Sequence, residues 1–301
     1  QSHWLFDSFL FLEIMDTGTG GANKMFAKGY NLESANQADW TKLIDYYFQS
    51  ETGIGALDAS VKEASAILGP PRQKRQIVIS IPEPIVYQHP EQASSSTKYW
   101  GKIDNQTLDF SNSADRIKAC KWYIDQVRAK FNEKNYQHVE LAGFYWLAEK
   151  ATDTRDILNA VAIYLNKLKY SFNWIPYYGA DGYNQWKSLG FNYAYFQPNY
   201  FFNESVPDSR LEDACQKALT YDMHMELEFD DNALNSRGKA YRLKNYMSAF
   251  KKHGIWEKKR LAYYQGSASL LTLKKSGNAA DTQLYHEFCN FVISRPIRSS
   301  H

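Results

Sequence analysis

Seven consecutive residues, Met225-Glu-Leu-Glu-Phe-Asp-Asp231, hold the pattern richest in chemistry. Acidic and apolar residues alternate with a period of two, so the segment reads as a β-strand. Glu226, Glu228 and Asp230 then share one face, with Leu227 and Phe229 on the other. Like charges in a row repel, and burying one unpaired costs on the order of several kcal/mol. Such a row suits acid/base chemistry, sugar hydroxyl binding or metal ligation. A solvated acidic face on an edge strand is the plain alternative.

Short apolar runs alternate with amphipathic stretches along the whole chain. Strands are expected at Phe6–Leu12, Ile77–Ile81, Leu141–Leu147, Phe172–Tyr177, Tyr193–Gln197, Met225–Phe229 and Leu261–Tyr264. Helices are expected at Ala38–Phe48, Leu57–Leu68, Ala114–Phe131, Thr154–Tyr170, Arg210–Tyr221, Gly238–His253 and Ala280–Ile293. Asp153 and Ser209 stand where N-caps belong. This rhythm predicts an α/β fold with a parallel sheet. Runs such as Ile77-Val-Ile-Ser-Ile81 are nearly all apolar, as strands covered on both faces are. Seven strands favour a (β/α)8 TIM-type barrel with one strand missing or irregular, Gly53–Ala56 and Ala268–Leu273 being weak candidates for it. Residues 1–301 read as a single (β/α) barrel domain without repeats or linkers. Thr17-Gly-Thr-Gly-Gly21 looks superficially like a phosphate loop, but no helix follows promptly. The long irregular segment from Pro82 to about Ser113 is expected over the barrel mouth.

In such a barrel the C-terminal strand ends form the active face. Strand by strand those ends carry Glu83; Trp146 and Glu149; Tyr177 and Tyr178; Gln197, Asn199 and Tyr200; Glu226, Glu228 and Asp230; Tyr264 and Gln265. Glycoside hydrolysis needs one carboxylic acid to protonate the leaving oxygen and a second carboxylate as nucleophile or base. Glu149 follows an apolar, aromatic strand that would desolvate it and raise its pKa, which suits the acid; a surface ion pair with Lys150 is the competing reading. Glu228, at its strand's end, suits the nucleophile or base. Glu226 lies deeper and serves either substrate or the barrel interior. Glu83, stiffened between two prolines, Gln197 and Asn199 are candidate hydroxyl binders. Trp146, Tyr177, Tyr178, Tyr200 and Tyr264 are candidate stacking platforms, each also readable as core.

His89, His138, His224 and His253 form no HxH or HExxH pattern, so no zinc motif is present. An oxygen-rich Mg or Mn site built from Glu149, Glu228 and Asp230 stays open; no cofactor is expected. No Ser sits in a Gly-x-Ser-x-Gly elbow. Cys120, Cys215 and Cys289 are too dispersed for a zinc site or disulfide framework and read as buried thiols. A net charge of +2 with scattered basic residues argues against a nucleic-acid partner. No apolar run reaches membrane-spanning length. The chain is 44% hydrophobic, enough for a large core, and 16% aromatic, with 22 Tyr, 17 Phe and 8 Trp. Flat rings with polar handles suit a sugar-binding groove, and equally a Tyr-rich core. The opening at Gln1 without an initiator Met reads as a processed or trimmed product.

The segments Leu5-Phe-Asp-Ser-Phe-Leu-Phe-Leu12, Gly143-Phe-Tyr-Trp-Leu-Ala-Glu149, Trp174-Ile-Pro-Tyr-Tyr-Gly-Ala180, Gln197-Pro-Asn-Tyr200 and Glu226-Leu-Glu-Phe-Asp230 together resemble a bacterial family, domain-of-unknown-function family 4855. The resemblance spans nearly the whole chain, and Trp-Ile-Pro-Tyr-Tyr and Gln-Pro-Asn-Tyr are its most specific pieces. It implies a glycosidase-like barrel, secreted or periplasmic, acting on a carbohydrate. The expected function is hydrolysis of a polysaccharide or oligosaccharide by paired carboxylates. A non-catalytic glycan-binding barrel and a metal-dependent barrel enzyme are the alternatives.

Overall fold

The computed structural model describes residues 3–296. In chain order the strands are β1 (Ser8–Phe11), β2 (Arg75–Ile81), β3 (Lys102–Ile103), β4 (Gln106–Thr107), β5 (Val139–Trp146), β6 (Ser171–Trp174), β7 (Tyr193–Phe196), β8 (His224–Glu228) and β9 (Leu261–Tyr264). The helices are α1 (Gln37–Tyr47), α2 (Ile54–Leu68), α3 (Ser113–Lys134), α4 (Arg155–Lys167), α5 (Ser209–Thr220), α6 (Ala240–Lys252), α7 (Ile255–Lys258), α8 (Ser269–Lys275) and α9 (Ala279–Ile293). Each of the seven expected strands overlaps an observed one.

Strands β1, β2, β5, β6, β7, β8 and β9 form one sheet in that order, and every pairing is parallel. The sheet curls 271° round an axis. It is a TIM-type barrel left open between β9 and β1. Neither proposed eighth strand exists. Gly53 precedes the first turn of α2, where its N–H donates to the Gln49 carbonyl at 3.1 Å. Ala268 precedes α8, whose Leu270 and Leu273 point inward and whose Leu271 points out. Apolar residues three apart are a helix's stripe, and a short apolar run alone does not distinguish it from a strand. Across the opening, the Phe6 and Tyr263 rings meet at 5.4 Å.

The outer faces of β5 and β6 show why these strands are apolar throughout. Trp146 meets Phe172 at 5.9 Å, Phe172 meets Phe191 at 4.5 Å, and Trp174 stacks on Phe191 at 4.7 Å. This column lies beneath α4, since the Trp146 indole N–H donates to Thr154, the residue capping that helix. Aromatic pairs of this kind contribute about 0.5–1.5 kcal/mol beyond their buried area.

The two expected N-caps sit elsewhere. Thr154, not Asp153, precedes α4, and Asp208, not Ser209, precedes α5. Their carboxylates have other partners: Asp153 pairs with Lys28 and Asp208 accepts from the Tyr200 hydroxyl. A full capping box instead opens α1, where Asn36 and Asp39 exchange bonds. The segment after β2 carries the β3–β4 hairpin and its own apolar anchor. Trp100 packs against Trp40 of α1 and Trp122 of α3. The cysteines are free thiols, Cys120 and Cys215 buried and Cys289 half-buried.

Candidate active site

The alternation at β8 delivers its carboxylates to the barrel's C-terminal end, and two of the three stay buried. Glu228 is only 2% exposed and Glu226 8%. Asn199 takes the left-handed conformation, φ 50°, which Asn tolerates better than most residues. That turn brings its N–H to Glu228 Oε2 at 3.0 Å. From α6 the Tyr246 hydroxyl donates to the same oxygen at 2.5 Å. Burial pushes the Glu228 pKa up to about 7, against the lowering effect of these donors. Glu226 lacks such help. Burial, then the charges of Glu228 and Glu149, drive its pKa well above the carboxylate range.

Glu149 completes a trio. It stands just past β5 and is largely desolvated, which raises its pKa, while the Gln197 side chain beside it works the other way. Gln197 is itself held, its amide donating to the Ile175 carbonyl at 2.7 Å. Tyr145 lies among them: burial, then the charges of Glu149 and Glu226, raise its pKa strongly. Burial raises the pKa of all three, and the charge of Glu149 adds to the rise at Glu226 and Glu228. Carboxyl groups with raised pKa values gathered in one place suit acid/base chemistry.

Asp230 leaves the row. Past the strand, its Oδ1 accepts from the Asn232 N–H and side-chain amide, both at 2.8 Å, capping a short turn. Among the described residues no group of three or more His, Cys, Asp and Glu side chains is arranged to hold a metal ion. The set of Glu149, Glu228 and Asp230 considered for Mg or Mn therefore makes no cage.

Glu83 is buried too. It accepts the Lys28 N–H at 2.7 Å, and desolvation first among the causes lifts its pKa to about 7. The charges acting on it include Asp153, Lys28 and Lys150. Lys28 also pairs with Asp153 at 3.1 Å, so this corner ties the loop after β1 to the loop after β5.

Three of the expected stacking platforms have no ring face to offer. Trp146 is fully buried under α4, and Tyr200 is fully buried too. Tyr200 meets the Tyr246 ring at 5.5 Å and carries the Arg242 guanidinium 3.8 Å from its centroid. Tyr178 lies between Phe196 at 5.8 Å and Arg210 at 3.9 Å, with its hydroxyl donating to Asp213. Period-two patterning names a face but not what covers it, and helices α4, α5 and α6 cover these. Tyr177 is half-buried and bridged to Gln197. Asn199 serves Glu228 through its backbone, not its amide. Gln265 accepts from the Leu270 N–H at 3.1 Å, which opens α8. Tyr264 alone of the five rings is exposed, at 46%.

Sequence reasoning missed Tyr246 and Tyr145. Tyr145 carried a readable signal, an inward position one residue before Trp146 on the strand that leads to Glu149. Tyr246 carried none, because a helix's inward tyrosine looks like core until its partner is known. Two surface hollows of about 280 and 160 Å³ run along α1, lined by residues such as Gly18, Lys42, Tyr46 and Glu13, and neither includes the trio.

A family described as a domain of unknown function, DUF4855, matches residues 1–290. The chain belongs to the DUF4855 family. No curated protein matches this DUF4855 chain. Among solved structures, a family 18 chitinase from Crocus vernus is 10% identical with a TM-score of 0.41, covering 77% of each chain. The catalytic domain of a GH18 chitinase from the fern Peteris ryukyuensis is 11% identical at 0.42, covering 78% of each. The zinc-complexed atrazine chlorohydrolase TrzN from Arthrobacter aurescens TC1 is 12% identical at 0.37, over 97% of this chain and 70% of that one. Likenesses this distant carry no argument about chemistry. In the DUF4855 chain no helix among the described residues is long and apolar enough to cross a membrane.

Proposed function

We propose that this chain hydrolyses a glycosidic bond in a polysaccharide or oligosaccharide. One observation carries the reading: Glu149, Glu226 and Glu228 meet electrostatically at the C-terminal end of the barrel, with one of them fixed by two donors. Glu149 is the acid, giving its proton to the leaving oxygen as the bond to the anomeric carbon breaks. Glu228 is the nucleophile or base, either attacking that carbon or taking a proton from the water that does. The Tyr246 hydroxyl and Asn199 N–H hold Glu228 in one orientation, which a reacting carboxylate needs. Glu226, buried and without such donors, keeps its proton, and a neutral Glu226 leaves Glu228 free to ionise. A carbohydrate polymer as substrate fits a secreted or periplasmic site of action, the location the family resemblance suggested.

The direct test is incubation with a panel of polysaccharides and oligosaccharides, with products read by mass spectrometry. Cleavage of a member with Glu149-dependent turnover supports the reading. Saturable binding without any product assigns the chain to glycan capture instead and overturns it.

Tyr246→Phe gives a second, more local test. The lost donor stabilised the charged form of Glu228, so removing it raises that pKa further. A hydrogen bond to a charged group contributes about 1.5–3 kcal/mol, and one pKa unit is about 1.4 kcal/mol. The acidic limb of kcat/KM should therefore move up by roughly one to two pH units. An unmoved limb would separate Glu228 from the chemistry.

A further inference from the structure

We propose that Tyr264, Phe202 and Tyr30 form a stacking subsite for one saccharide ring on the rim beside Glu228, an assignment that rests on the glycosidase reading. Tyr264 and Glu228 are register partners on the adjacent parallel strands β9 and β8. The ring therefore rises from the same level of the barrel as the carboxylate. Phe202, on the loop after β7, meets it at 5.9 Å and 77°. A T-shaped contact of this kind fixes the two rings at a set angle to each other. Tyr30, on the loop after β1, comes within electrostatic reach of the Tyr264 hydroxyl, as do Glu226, Asp230 and Glu228.

The end of β9 and two loops from distant parts of the chain thus bring aromatic residues to one edge of the trio. Tyr264 is 46% exposed and Tyr30 and Phe202 are each 42% exposed. A folded chain gains nothing by leaving three large rings half in water at one spot, and such patches mark binding surfaces. Other exposed apolar residues, Ile67, Ile163, Leu219 and Leu271, lie singly on separate helices. Tyr241 nearby has its hydroxyl bonded to Glu204 at 3.2 Å and is otherwise engaged.

The chemistry selects a sugar. A pyranose presents C–H groups on its faces and hydroxyls round its edge. The rings match the faces, and the two tyrosine hydroxyls can exchange hydrogen bonds with the edge. Because Tyr264 adjoins Glu228, the bound ring is one unit removed from the bond being broken. The subsite's contribution accordingly grows with substrate length.

The experiment uses Tyr264→Ala and Phe202→Ala with a chain-length series, disaccharide to hexasaccharide, of the oligosaccharide that the panel identifies. Both positions are exposed, and two variants on different elements guard against a local folding defect. The expected result is a loss of kcat/KM at least tenfold larger on the hexasaccharide than on the disaccharide, about 1.4 kcal/mol of binding. An equal loss at every length, or no loss, overturns the subsite while leaving the catalytic reading intact. If the wild-type chain cleaves nothing, the catalytic reading falls and the subsite is judged by titrating cello- and chito-hexasaccharide. Weaker binding by Tyr264→Ala than by wild type then upholds it, and unchanged or absent binding removes it.

Discussion

Glu228→Gln should lower kcat by roughly 10²- to 10⁴-fold, the range that a positioned acid/base group supplies. Gln preserves the shape and can still accept the Asn199 N–H, so the loop after β7 stays in place. What disappears is the negative charge that attacks the anomeric carbon or takes the water's proton. Glu149→Gln should cost a similar factor by removing the proton for the leaving oxygen. The two differ in substrate dependence. A substrate whose leaving group departs readily as an anion bypasses the acid, so Glu149→Gln recovers most of its rate on an activated aryl glycoside. Glu228→Gln does not, because the first step still lacks its partner. Steady-state kinetics on both substrate types, with melting curves to show intact folding, decides it. Full activity in both variants would remove the assignment.

The second large effect concerns stability against pH. Glu83 and Glu228 are buried, and each has its pKa lifted from 4.5 to about 7. In the unfolded chain both titrate near the ordinary value. Below that value each group is protonated in both states, and the stability associated with its burial is fully present. As the pH rises from there toward about 7, the unfolded state gives up its protons while the folded state still holds them, and the loss is complete once the folded value is passed. Folding stability therefore falls across that window. A shift of this size corresponds to about 3 kcal/mol per group. Glu226, raised in the same direction by burial and its acidic neighbours, adds to the trend. Urea denaturation at intervals from pH 4.5 to 8 should show stability declining upward. Glu83→Gln, neutral at every pH, should flatten its share of the slope. A profile that rises over this interval would mean these carboxyls are solvated and the buried site is not as described.

The features that the proposed catalysis uses are the ones that cost stability. Glu228 is kept out of water, which raises its pKa, and is partly compensated by Tyr246 and Asn199. That compensation is incomplete, so the pKa stays at about 7, the range that the proposed acid/base role needs.

Much of this architecture could be read in the residues themselves. Near-continuous apolar runs such as Ile77–Ile81 announce strands covered on both sides, and seven of them between amphipathic stretches announce a parallel barrel. The alternation from Met225 to Phe229 by itself puts Glu226 and Glu228 on one face. Local periodicity is enough for this, because β-strand side chains alternate whatever surrounds them. The opening between β9 and β1 was foreshadowed only as a missing strand. Ala268–Leu273 looked strand-like because a short apolar run has no period long enough to declare itself.

The tertiary structure alone decided which side chains meet. Trp146, Tyr178 and Tyr200 lie at the expected strand ends, yet α4, α5 and α6 close over them, and no local pattern reports a helix arriving from elsewhere in the chain. Tyr246 comes to Glu228 from another element, and Tyr30 and Phe202 come to Tyr264 from two separate loops. Spacing along a strand settles the direction of a side chain. Whether that direction leads to water, to a helix or to another carboxylate depends on contacts between residues far apart in the chain, which only packing creates.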